Sequence, residues 1–117
     1  MSERDFNLYL DDIIDSGSAV LEFVEGITFE EFCNDRKTYS AVIREFLIIG
    51  EAVGRLSDDL KQRCPDVKWQ DIKDFRNMLI HEYFGIDMEI LWKVIEKDLP
   101  ALMNAVKEIL QADIGAE

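Results

Sequence analysis

The stretch around which the chain is organised is residues 76–85, which read RNMLIHEYFG. It brings an arginine, an amide, an imidazole and a phenol close together, with apolar residues between them at helical spacing. His81 is the only histidine of the 117 residues. Because no other side chain present titrates near neutral pH without perturbation, chemistry that needs such a group must use His81. The stretch therefore predicts a helix that carries the candidate functional residue, held by a helical scaffold.

Amphipathic patterns on both sides of this stretch predict further helices. Apolar residues recur at three- and four-residue spacing, without the alternation that is typical of strands. Helix boundaries are indicated by a capping box from Thr28 to Glu31, by Pro65 and by Gly85. The predicted helices span residues 4–25, 28–33, 37–63, 69 to 81 or 84, and 88–112. The predicted fold is all-α, an up-and-down bundle of four to five helices in a single domain of residues 1–117.

Two features inside the predicted helices require special packing. Pro100 lies within the last helix and should kink that helix or split it near Asp98. Gly50 and Gly54 lie one turn apart and leave a smooth strip on the long second helix. Since each glycine costs about 1 kcal/mol of helix propensity relative to alanine, we expect close contact with a helix of this chain or of a second copy.

The charge distribution argues against a generic nucleic-acid binder. The net charge is −12, whereas such proteins normally carry a basic face. The charge is uneven, however, because residues 60–84 contain five basic and four acidic side chains. A polyanion could therefore approach this segment but not most of the surface. The alternative explanation is that the acidity serves only to keep the protein soluble.

The sequence also predicts a cytoplasmic, membrane-free protein. Its apolar runs, such as residues 46–49, are far too short to span a bilayer. The charged N-terminus does not resemble a signal peptide, so Cys33 and Cys64 are expected to be reduced thiols. One histidine with scattered carboxylates makes a poor metal site, and no glycine-rich phosphate loop is present. We therefore expect neither a metal nor a cofactor.

Arg76 and His81 together suit metal-independent RNA cleavage, in which the RNA's own 2′-hydroxyl attacks the adjacent phosphate. Imidazole can move the proton, and guanidinium can stabilise charge on the phosphate oxygens. The two residues point about 140° apart on an ideal helix, so they do not share one face. A symmetric dimer would bring two copies together and supply two imidazoles. Residue types alone favour the alternative, a structural histidine at a helix end.

Residues 69–87 resemble the signature of HEPN-domain proteins, specifically the HepT-like toxins of HEPN/MNT toxin–antitoxin pairs. That signature is an arginine and asparagine followed by His-x-Tyr, here Arg76, Asn77, His81 and Tyr83, with four residues between the arginine and the histidine. The resemblance extends to residues 8–13, 48–53 and 98–100. Lys68 stands where the family often has proline, which concerns only how the third helix begins.

The resemblance implies a HEPN-like homodimer in which two motifs meet in a composite cleft. It implies an endoribonuclease toxin with Arg76 and His81 as catalytic residues, Asn77 as a supporting residue and RNA as substrate. It also implies an MNT-type nucleotidyltransferase antitoxin that adenylylates Tyr83. The alternative is a catalytically silent HEPN scaffold subunit of a nucleotidyltransferase complex, in which Tyr83 is modified without catalysis by this chain.

Overall fold

The computed structural model describes residues 3–115, and within them the side chains of residues 6–82 and 84–112. Its α-helices, numbered α1 to α7, are Glu3–Phe23, Phe29–Asn34, Arg36–Gly54, Asp58–Gln62, Trp69–His81, Met88–Lys93 and Leu99–Gly115. A 3-10 turn, Tyr83–Gly85, follows α5, and a π-helical turn, Val94–Asp98, joins α6 to α7. Residues 3–115 contain no strand, which confirms the predicted all-α class.

The predicted caps determine where several helices begin and end. Gly26 follows α1 with φ of +75°, a left-handed conformation that glycine adopts without strain. Thr28 Oγ1 accepts a hydrogen bond from the Glu31 N–H at 3.1 Å, and the Thr28 N–H donates to the Glu31 carboxylate at 3.2 Å. Asp87 caps α6 by accepting from the Glu89 N–H at 2.9 Å. The predicted capping box is therefore confirmed.

The prediction of one helix over residues 37–63 is wrong, because the helix is interrupted after Gly54. Helix α3 ends there, and α4 begins after Ser57, whose hydroxyl accepts from the Leu60 N–H at 3.2 Å. Glycine weakens the end of α3, and the serine cap stabilises a new helix start. Leu56 and Leu60 are both buried despite the break. The turn places Lys61 beside Gly54, at the edge of one cleft.

Pro100 is accommodated by the π-helical turn that precedes it. The Leu99 N–H donates to the carbonyl of Val94, five residues earlier, instead of four. Proline has no N–H and crowds the preceding turn, so the regular series of i→i−4 hydrogen bonds is interrupted here. The predicted irregularity near Asp98 is thereby confirmed.

Helix α3 lies at the centre of the bundle and contacts α1, α2 and α5, while α1 also packs against α7. A Cβ added at Gly17 of α1 would lie 2.7 Å from the Met103 sulfur, so α1 and α7 approach closely there. The core consists mainly of buried aliphatic residues, including Leu10, Ile13, Val42, Ile49, Leu79, Leu91, Leu99 and Val106. Within the described part of the chain, no helix combines the length and apolarity needed to cross a bilayer.

Candidate active site

Helix α5, which carries the motif, is anchored to the bundle at both ends of its buried face. The Trp69 indole N–H donates to the carbonyl oxygens of Lys61 and Cys64, at 3.0 and 3.2 Å. Phe75 meets Phe46 of α3 edge to face, with ring centroids 5.3 Å apart. Leu79 is completely buried. These contacts hold α5 against α3 although its N-cap residue makes no side-chain hydrogen bond.

Arg76 rests its aliphatic stem on the backbone of α3. A Cβ added at Gly50 would lie 2.6 Å from the Cβ and Cγ atoms of Arg76, so glycine is needed there. The Arg76 Nη1 atom lies 3.4 Å from the Glu51 carboxylate, and Nη2 donates to the Asn77 side-chain oxygen at 3.4 Å. Its Nε is buried and has no hydrogen-bond partner among the described residues. Gly50 thus makes the predicted close contact within the chain, whereas Gly54 has no atom within 4 Å of an added Cβ.

His81 lies apart from Arg76. It is the last residue of α5, and its side chain is exposed and forms no hydrogen bond with the part of the chain that is described. Asn77 is half-buried and shares a helical stripe with His81, four residues on. The structure therefore brings Arg76 and Asn77 together and leaves the imidazole accessible at the helix end.

Tyr83 begins the 3-10 turn, one residue beyond the end of α5, but its side chain lies outside the described residues, so its predicted role stays a prediction. The backbone turn is closed by the Gly85 N–H, which donates to the Glu82 carbonyl at 2.8 Å. Ile80 is 50% exposed and Phe84 fully exposed, so apolar surface flanks His81 on both sides in sequence.

A small basic cleft between α3 and α5 was missed in the sequence. It has a volume of about 260 Å³ and adjoins Arg76. Its lining residues are Gly50, Glu51, Gly54, Arg55, Lys61, Lys73 and Arg76. The i,i+4 pair of Glu51 and Arg55 was a detectable signal, but their proximity to Lys73 depends on tertiary packing.

A larger, mainly apolar cavity of about 510 Å³ lies where the α4–α5 loop, α5 and α7 meet. It is lined by Ile72 and Phe75 but not by Arg76, Asn77 or His81. Cys64 also lines it, and burial raises the pKa of this thiol, with the nearby Glu108 charge as a second cause. Both cysteines are free, as predicted. Among the described residues, no group of three or more His, Cys, Asp or Glu side chains is arranged to hold a metal ion.

Comparison with known proteins identifies related chains over nearly the whole length. A family model described as "Ribonuclease HepT-like" matches residues 13–109. A Methanocaldococcus jannaschii protein provisionally named an RNase is 41% identical over 107 residues, covering 92% of this chain and 98% of the relative. A second such protein of that organism is 38% identical over 117 residues, covering 100% of this chain and 96% of the relative. A Thermococcus cleftensis protein named a probable ribonuclease HepT is 38% identical over 107 residues, covering 92% and 97%. No solved structure matches.

Proposed function

This chain belongs to the HepT-like ribonuclease family, and from this premise we propose that it is a metal-independent endoribonuclease, the toxin of a HEPN/MNT pair, with Arg76 and His81 as catalytic residues. The observation that carries the proposal is that the family match spans the whole motif, in which Arg76 is held against α3 and His81 is exposed. In phosphodiester cleavage by an RNA 2′-hydroxyl, imidazole can transfer the proton and guanidinium can stabilise the charge on the phosphate oxygens.

The proposed reaction needs one proton acceptor and one proton donor. The RNA 2′-oxygen attacks the phosphorus and loses its proton, while the bond from phosphorus to the 5′-oxygen breaks and that oxygen gains a proton. The products are a 2′,3′-cyclic phosphate and a free 5′-hydroxyl. Imidazole can take either role near neutral pH, and the Arg76 guanidinium stabilises the charge on the phosphate oxygens.

A homodimer would complete this site, because each chain has only one histidine. Arg76 is directed toward Glu51 of its own chain, whereas His81 projects from the helix end. The exposed Ile80 provides apolar surface beside His81 that a second copy could cover. Two motifs facing each other would then supply separate imidazoles for the acid and base roles.

The catalytic proposal is tested with purified, unmodified protein and a broad panel of RNAs in the presence of a metal chelator. We expect cleavage of RNA and not of the matching DNA, which lacks the 2′-hydroxyl. His81→Ala and Arg76→Ala, purified identically and shown by circular dichroism to be helical, should abolish it. An intact RNA panel, or cleavage that persists in His81→Ala, would contradict the proposal.

We further propose that an MNT-type nucleotidyltransferase antitoxin adenylylates Tyr83. Its backbone lies two residues beyond His81, where an added phosphate would bring negative charge and bulk to a phosphate-binding site. Incubation with such an enzyme and ATP should add one adenylyl group, detected by mass spectrometry, and should stop RNA cleavage. Tyr83→Phe should gain no mass and should keep its RNase activity.

A second candidate, a catalytically silent scaffold subunit, is favoured by the net charge of −12, which opposes RNA binding over most of the surface. It predicts the same gain of mass at Tyr83 but no RNA cleavage by the unmodified chain. The pair of measurements therefore separates the two functions.

A further inference from the structure

The cleft between α3 and α5 concentrates positive charge in an otherwise acidic chain. Arg55 follows α3, Lys61 lies on α4, and Lys73 and Arg76 lie on α5, with Glu51 as the one carboxylate that lines the cleft. Three different parts of the chain contribute, so the cluster exists only in the folded protein. The four basic residues and one carboxylate that line the cleft sum to a net charge of +3, in a protein whose net charge is −12.

Only part of this charge is neutralised by Glu51. Arg55 Nη2 lies 3.0 Å from one of its carboxylate oxygens and Arg76 Nη1 lies 3.4 Å from the other, so two guanidinium groups share one carboxylate. Lys61 and Lys73 form no ion pair with any side chain that the structure describes. Helix α3 ends at Gly54, and its dipole adds about half a negative charge, which the surrounding cations outweigh.

The lining of the cleft suits a phosphate group better than a nucleobase. Its volume of about 260 Å³ lies below that of typical small-molecule sites. Glycines 50 and 54 form part of its wall, and the space above Gly54 is open. No aromatic residue is among its described lining residues, so a base could not stack there. The cleft thus suits recognition of a nucleic-acid backbone, independent of sequence.

We propose that this cleft binds a phosphate of the RNA strand that neighbours the scissile phosphate, an inference that rests on the proposed ribonuclease function. Lys73 and His81 are eight residues apart, so their Cα atoms are separated by about 12 Å along α5. We therefore assign to Lys61 and Lys73 a phosphate distinct from the one attacked beside His81, with Arg76 lying between Lys73 and His81 on α5. Lysine ammonium groups bind phosphate as point charges, without the fixed bidentate geometry of a guanidinium.

RNA affinity tests this subsite separately from catalysis. Binding of a fluorescein-labelled single-stranded RNA to the His81→Ala protein is measured by fluorescence anisotropy across a series of salt concentrations. Adding Lys61→Gln and Lys73→Gln should weaken binding about tenfold or more, because charge-assisted hydrogen bonds are lost. The slope of the logarithm of the association constant against the logarithm of the salt concentration should become shallower by about 0.7, the value for the loss of one phosphate contact with a single strand. Lys107→Gln on α7, which removes an exposed lysine that does not line the cleft, should leave both quantities unchanged.

A steric variant tests the cleft without changing its charge. Gly54→Leu adds a side chain where nothing lies within 4 Å of the new Cβ, so the side chain can enter the open cleft and weaken RNA binding, and circular dichroism checks that the variant keeps its helicity. If RNA binds the double lysine variant and Gly54→Leu as tightly as it binds the His81→Ala parent, the subsite proposal is overturned. If the wild-type protein nevertheless cleaves RNA, the ribonuclease proposal is still supported although the subsite proposal is not. Cleft-dependent binding without any wild-type cleavage would support phosphate binding by the cleft but overturn its placement beside a scissile phosphate, together with the catalytic function.

Discussion

Gly50 determines the position of the predicted catalytic arginine. Because residue 50 lacks a Cβ, the Arg76 stem can rest directly on the α3 backbone, with its Cβ and Cγ only 2.6 Å from where that atom would be. The guanidinium then lies beside Glu51, the next residue of α3, 3.4 Å from its carboxylate. A single glycine therefore couples the packing of two helices to the placement of a functional group.

Gly50→Ala should destabilise the protein and reduce RNA cleavage together. Overpacking costs about 1–3 kcal/mol, of which the better helix propensity of alanine offsets about 1 kcal/mol. The free energy of unfolding in urea and the cleavage rate measure the two effects. Gly54→Ala is the matched control, since its Cβ meets no atom within 4 Å and should change stability by no more than about 1 kcal/mol. Because both alanines gain the same helix propensity, Gly50→Ala should be less stable than Gly54→Ala; equal stability of the two variants would mean that Arg76 does not need this contact.

The break between α3 and α4 is the element-scale feature that shapes the basic cleft. Without it, Lys61 would continue along α3 instead of turning back beside Gly54 and Lys73. The hydroxyl of Ser57, which accepts from the Leu60 N–H at 3.2 Å, stabilises the start of α4. Ser57 thus contributes to the shape of the basic cleft although it is not one of the residues that line it.

Ser57→Ala should lower the free energy of unfolding by about 1 kcal/mol, because an N-cap acceptor is lost and the first turn of α4 is left unsatisfied. Urea unfolding measures the change. Ser18→Ala, at an exposed position in the middle of α1, is the matched control and should be neutral or slightly stabilising. If both variants have the same stability, the cap does not stabilise α4.

Asp35 makes the start of α3 sensitive to acid. Its carboxylate accepts from the Thr38 hydroxyl at 2.6 Å and from the Thr38 N–H at 3.1 Å. These bonds lower the pKa of Asp35 below its ordinary value of 3.8, with the side-chain bond as the largest cause. A lowered carboxyl pKa contributes stability above the ordinary value, and this contribution is lost as pH falls through the folded-state pKa.

The advantage of wild type over Asp35→Asn should therefore be full at neutral pH and disappear in strong acid. Urea unfolding between about pH 7 and pH 2 measures it as the difference between the two proteins. Asp11→Asn removes an exposed carboxylate of α1 that caps no helix and should show a flatter difference. A constant gap between wild type and Asp35→Asn across this range would show that the charge of Asp35 does not strengthen the cap.

Hydrophobic spacing predicted most helices and the position of α5, but it could not detect the break after Gly54. Leu56 and Leu60 keep a four-residue spacing across the turn and are both buried, so the apolar pattern continues where the helix does not. Ser57 is followed three residues later by Leu60, whereas a capping box has Glu or Gln there, so the sequence indicates this helix start only weakly. Pro100, by contrast, changes the backbone wherever it occurs and was predictable.

At the scale of the whole molecule, the motif predicted the family, and the match over residues 13–109 confirms it. The neighbours of Arg76 were not predictable, because Glu51 and Lys61 are distant in sequence and reach it only through the packing of α3, α4 and α5. The roles of Arg76, Asn77, His81 and Tyr83 remain predictions of that motif. In the proposed reaction, separate acid and base imidazoles would have to come from two copies of the chain, since one chain holds a single histidine.

The proposed dimer contact at the end of α5 leads to the last prediction. Ile80 is 50% exposed and adjoins His81, so an aspartate there would bury an unpaired charge in the proposed contact between two copies. Ile80→Asp should therefore convert the dimer to a monomer in sedimentation-equilibrium measurements and abolish RNA cleavage without loss of helicity. Leu8→Asp changes an apolar side chain of α1 that is 58% exposed and should leave both the dimer and the activity intact. A fully active Ile80→Asp monomer would show that one chain forms a complete site and that its single imidazole performs both proton transfers.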